Sequence, residues 1–136
     1  MKKTASFLLI ALLFAGCDSY RDVAGPDPAD LVKAGSYKVS YEVTGTYASC
    51  EIQYVNASRK LVTLSQAVEL PWELTMNVFI DPSSGPFEAR ISATCADSTK
   101  LGKSTVTLLV DNDLKARGTA TGFGATAQAD HQVGRR

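Results

Sequence analysis

The residues able to do chemistry in this 136-residue chain are few and scattered. His131 is the sole histidine and is the sixth residue from the C-terminal end. A Ser-His-Asp or Cys-His arrangement would depend on that one imidazole as base, and the closing HQVGRR reads as a frayed tail, a poor place to hold a catalytic base. A zinc site needs three or four converging His, Cys or carboxylate ligands, and no usual set can be assembled here. Asp111-Asn112-Asp113 carries the start of a calcium-loop pattern, but Leu114 follows and neither the turn glycine nor a third ligand comes after it. A tight turn explains these three better. Gly102-Lys103-Ser104 has the ending of a phosphate-binding loop, yet Asp97 stands where the first glycine belongs and no helical period follows. Glu69 and Glu73 flank Leu70-Pro71-Trp72 and read as exposed carboxylates at a strand junction, not as an acid–base pair. The expectation is a protein that is not an enzyme and that uses no catalytic residue, cofactor or metal.

The three cysteines carry the chemistry that remains. Cys17 follows Lys2, Lys3 and an apolar run from Phe7 to Gly16. As a helix those ten residues would reach only about 15 Å, half a hydrocarbon core, so a secretory signal is preferred over a membrane span. Phe14-Ala15-Gly16-Cys17 resembles a bacterial lipobox, with Phe14 in place of the usual aliphatic residue. Residues 1–16 are therefore expected to be a lipoprotein signal peptide, and Cys17 the acylated first residue of the mature chain. Two acyl chains suffice for stable anchoring, which places the protein on the extracytoplasmic face of a bacterial cell envelope, held to a membrane by lipid. Asp18 to Gly35, with Pro26 and Pro28, shows no sustained apolar period, so residues 17–35 are expected to be a flexible tether.

Cys50 and Cys95 make an even pair in a compartment that permits disulfides. Alternation puts Cys50 on the face of Ile52 and Tyr54, and Cys95 on that of Phe87, Ala89, Ile91 and Ala93. Both thiols then point into the core, and a Cys50–Cys95 bridge is expected; closing a loop of that length stabilises by about 4 kcal/mol on the chain-entropy model.

The elements that would position these residues are strands. Without Lys2 and Lys3 the mature chain carries twelve basic and fourteen acidic residues, and no basic stripe that could serve nucleic acid. Val, Thr, Tyr and Ile crowd the body at period two, starting with Tyr37 to Val43. Further strands are predicted over about 48–55, 61–68, 72–80, 87–95 and 104–110, with a last one, weakened at Gly118 and Gly122, continuing to Ala129. Asn56 to Lys60 reads as a hairpin loop, which outweighs its match to a glycosylation acceptor. Pro71 marks a sheet edge or a crossing between sheets, and Trp72, the only tryptophan, a core anchor. About seven short strands at roughly ten-residue spacing predict an all-β, antiparallel sandwich or small barrel over residues 36–130, with a frayed tail over 131–136.

Three stretches, YEVTGT (Tyr41 to Thr46), IQYVN (Ile52 to Asn56) and VELPW (Val68 to Trp72), occur in this order. Together they resemble the MmpS family of small mycobacterial-type membrane proteins. The resemblance covers about Tyr37 to Ala129 and implies an Ig-like β-sandwich acting beside a large RND-type, MmpL-like transporter. It implies core roles for Tyr41 and Val43, a tight turn at Gly45, and a crossing at Pro71-Trp72. The chain departs from the family in its lipid anchor and in the positions of Cys50 and Cys95. The expected function is a lipid-anchored, non-catalytic binding domain serving as accessory to such a transporter; the alternative is a free-standing lipoprotein that binds an apolar small ligand or lipid.

Overall fold

A computed structural model describes residues 32–96 and 101–136. The signal peptide expected over 1–16, Cys17 and most of the expected tether lie outside the described residues. Among the described residues nine strands occur in chain order: β1 (Gly35–Gly45), β2 (Ser49–Val55), β3 (Leu61–Thr63), β4 (Val68–Glu69), β5 (Trp72–Ile80), β6 (Phe87–Thr94), β7 (Lys103–Val110), β8 (Asp113–Thr121) and β9 (Thr126–Val133). They form two antiparallel sheets, β5-β1-β7-β8 and β3-β2-β6-β9, the second with β4 on β2. The expected all-β sandwich is the fold.

Period-two alternation drives the packing. Along β6, Phe87, Ala89, Ile91 and Ala93 are fully buried, while Glu88 and Arg90 point outward. Val39, Tyr41 and Val43 of β1 and Val106 and Leu108 of β7 meet them from the other sheet in one continuous core. Each large side chain removed from water there stabilises by roughly 1.5–3 kcal/mol.

Nine strands replace the expected seven for two local reasons. The third expected strand is cut at Ser65 and Gln66, whose exposed bend separates β3 from β4. The last expected strand is two, β8 and β9, joined by a turn through Gly122 and Gly124, both at positive φ. Phe123, which keeps the period-two parity of Ala127 and Ala129, is exposed at that turn. Pro71 does what its position suggested: β4 belongs to one sheet, β5 to the other, and the chain crosses between them at a cis Leu70–Pro71 bond.

Two expected boundaries need correction. The frayed tail over 131–136 is instead the end of β9: His131, Gln132 and Val133 pair with Ala89, Glu88 and Phe87, and Val133 is buried. The tether expected to run to residue 35 ends earlier, because Val32 is buried and bridges to Arg135 while β1 begins at Gly35. The apolar residues on either side explain both. Val32 and Val133, both buried, continue the core past the two expected boundaries.

The two flanks of the sandwich differ. On one, β8 and β9 face each other so closely that a Cβ at Gly118 would overlap the Gln128 carbonyl. On the other, β5 stands opposite the two short strands β3 and β4. One flank is closed, the other open.

Candidate functional site

The open flank is lined by apolar side chains that neither sheet covers completely. Trp72, Leu74 and Met76 alternate along the inner face of β5 and are half-buried, whereas Val78 and Ile80 farther along are buried. The seam therefore opens at the Trp72 end. Tyr54 of β2, Val68 of β4, Leu64 and Leu70 line it from the opposite side, each partly buried against the core. An aromatic series leads inward: Trp72 to Tyr54 at 5.8 Å between ring centroids, then Tyr54 to Tyr41 at 5.9 Å. Tilted pairs at such distances are favourable. Trp72, expected as a core anchor, thus occupies the mouth of the seam and not the middle of the core.

A second hollow lies at the end of the sandwich where the described chain begins. It encloses about 690 Å³ and is lined by Lys33, Tyr37, Asp113, Lys115, Asp130 and His131, among others. His131 belongs to the inner face of β9 and is half-buried. Burial holds its pKa below the ordinary imidazole value, nearby Lys115 adds to that, and Asp130 partly offsets it. Lys33 and Tyr37 share this hollow with His131, and no serine, threonine or cysteine is among the described residues that line it. Lys115 lies 3.7 Å from Asp113, and the Tyr37 hydroxyl donates to the Lys33 carbonyl at 2.8 Å.

The other residues singled out from sequence have structural places. Cys50 and Cys95 form a disulfide and are buried, as expected. Because β2 pairs with β6 through Glu51 and Thr94, the bridge links neighbours within one sheet and does not staple the two sheets together. Asp111 and Asn112, both at positive φ, are the central pair of the β7–β8 hairpin, the conformation that two-residue turns favour. Asp111 accepts from the Lys38 amide at 2.9 Å, and Asn112 from the Lys38 ammonium at 3.1 Å, so both carbonyl-bearing side chains are used by the fold. Glu69 and Glu73 are exposed on different sheets. Lys103 and Ser104 begin β7, with the Ser104 hydroxyl buried and unpartnered. Asn56 closes its hairpin by accepting from the Ser58 and Lys60 amides, both at 3.0 Å. Gly45, expected in a tight turn, ends β1 where a Cβ would stand 2.5 Å from the Lys103 carbonyl; close strand approach calls for the glycine.

Sequence reasoning missed the seam and the hollow. Alternation identifies inner faces, but not which flank of a sandwich stays open. Among the described residues no group of three or more His, Cys, Asp or Glu is placed to hold a metal ion. No helix among them is long and apolar enough to cross a membrane. No protein-family model matches the chain, and no curated protein matches it.

Proposed function

We propose that this protein is a non-catalytic binding domain, tethered to the cell envelope through an acylated Cys17, that holds an apolar ligand of the fatty-acyl class in its open seam. The half-burial of Trp72, Leu74 and Met76 opposite Tyr54, Val68 and Leu70 carries the reading. These inward side chains are uncharged, and an acyl chain is matched by apolar walls of this kind. Met76 adds an unbranched, polarizable side chain that adapts to irregular apolar guests. The extracytoplasmic placement rests on the leader and on Cys17, and a transporter partner rests on the MmpS resemblance.

The sole tryptophan makes the test direct. Titrating the protein with a long-chain fatty acid is expected to give a saturable blue shift of Trp72 emission, lost in Leu74→Asp. An emission spectrum unmoved by the fatty acid sinks the ligand reading. Separately, Cys17→Ser is expected to release the chain from the membrane fraction, and continued membrane association defeats the anchor. For the transporter, crosslinking in intact cells is expected to capture a large multi-span protein.

A further inference from the structure

A sandwich has lateral edges, and each is a row of unpaired N–H and C=O groups that must be shortened, covered or charged to keep other strands away. This fold treats three of them so. β8 and β9 cover each other, with Gly118 against Gln128. The edge made by β3 and β4 consists of one strand of three residues and one of two. β5 is different. It runs nine residues, WELTMNVFI, contains no proline and no lysine, and among the described residues pairs with β1 alone. Phe79, on its outer face, is 73% exposed, and its neighbour across β1 is the small Ser36.

We propose that β5 is a self-association edge: two copies of this chain pair β5 to β5 antiparallel about a two-fold axis at Met76. The register follows from geometry. Residues opposed across a ladder share a face, so a two-fold must set each β5 residue against one an even number of places away. Centring on Met76 is the choice that engages all nine residues. It opposes Trp72 to Ile80, Leu74 to Val78 and Met76 to itself on the inner face, and Glu73 to Phe79 and Thr75 to Asn77 on the outer. Apolar meets apolar inside. Outside, the single charge of the strand, Glu73, faces Phe79 and never its own copy, so no like charges are opposed. Along the whole strand the inner face sets apolar against apolar, and the outer face opposes no like charges. The resulting sheet runs continuously through both copies, from β8 of one to β8 of the other, by the strand-addition mode that exposed edges permit. The second copy is favoured over an unrelated strand because this pattern matches its own reverse. The inference does not rest on the ligand reading: the pairing uses backbone groups in the plane of the sheet, and although Trp72, Leu74 and Met76 serve both, the Phe79 crosslink reads the pairing from the outer face.

Photo-crosslinking of the full chain in cells tests it. Phe79→p-benzoylphenylalanine keeps an exposed aromatic and is expected to yield a two-chain adduct whose crosslink maps to the residues around Glu73 of the second copy. Met76→Lys and Met76→Glu, added singly, set like charges against each other on the axis, and each is expected to abolish the adduct. Co-expressing the two is expected to restore it. Absence of a two-chain adduct in the otherwise unchanged chain overturns the proposal, as does an adduct mapping away from β5 or one that survives both charge variants. Should either charged variant fail to form the Cys50–Cys95 bridge, the mapped adduct of the Phe79 variant decides alone.

Discussion

The phenolic oxygen of Tyr41 on β1 donates to the Val55 carbonyl on β2 at 2.8 Å, joining one sheet to the other through a side chain that is fully buried. Its ring meets Tyr54, so it links the core to the seam as well. Burial raises the Tyr41 pKa far above the ordinary phenol value and keeps the donor protonated. Tyr41→Phe retains the ring and removes only the bond. A net loss of about 1 kcal/mol in unfolding free energy is expected, the ordinary net contribution of one intramolecular hydrogen bond. Urea unfolding reads this, and an unchanged midpoint would show that the bond adds nothing to stability.

Cys50 and Cys95 lie 45 positions apart and both are buried. The loop between them holds the crossing from β4 to β5, so opening the bridge frees a large part of the unfolded chain. Replacing both by alanine is expected to cost about 4 kcal/mol, chiefly by loosening the unfolded state. Cys50→Ser alone should cost more, since it also leaves a hydroxyl and a free thiol inside the core. Denaturant midpoints of the two variants against the oxidised protein check both the size and the order.

Much of this fold was legible where a single physical rule governed a stretch. Period two located the inner faces of β1, β2, β5, β6 and β7, and alternation alone aimed Cys50 and Cys95 inward. The rule failed where alternation survives a change of direction. Phe123 keeps the parity of Ala127 and Ala129, so a turn between glycines looked like a weakened strand. His131 looked like tail because charged and polar neighbours surround it, yet Val133 is core. The seam was illegible for a different reason: whether a flank opens depends on which edges meet, and Trp72 reads the same at a mouth as in a core.

His131 should give stability a dependence on pH. Its folded-state pKa is depressed by burial and by Lys115, so protonation favours the unfolded chain. The stabilisation is complete above the unfolded imidazole value of about 6.5 and is lost as pH falls through that value toward the folded one. Groups around the same hollow include Asp113, Lys115, Asp130 and Arg135. Urea midpoints are expected to fall as the solution is acidified below neutrality, with a shallower fall in His131→Gln and in Lys115→Gln. Acid-insensitive midpoints in the unchanged protein would show that the imidazole is as solvated folded as unfolded.

Gly118 decides how tightly the closed flank shuts, and two effects of opposite sign compete at that position. Replacing a strand glycine by alanine restricts the unfolded chain and normally stabilises by about 0.4–1 kcal/mol where the conformation permits it. At Gly118 the added methyl would overlap the Gln128 carbonyl of β9, and backbone atoms cannot swing aside as a flexible side chain would. Overpacking of this kind costs roughly 1–3 kcal/mol, and the unyielding neighbour places Gly118→Ala at the upper end. The overlap wins, so the variant should be less stable than the unchanged protein. Amide exchange should quicken along β9 around Gln128, because the two strand edges must part to admit the methyl. A Gly118→Ala protein as stable as the original, with β9 equally protected, would mean that the flank is not shut against this glycine.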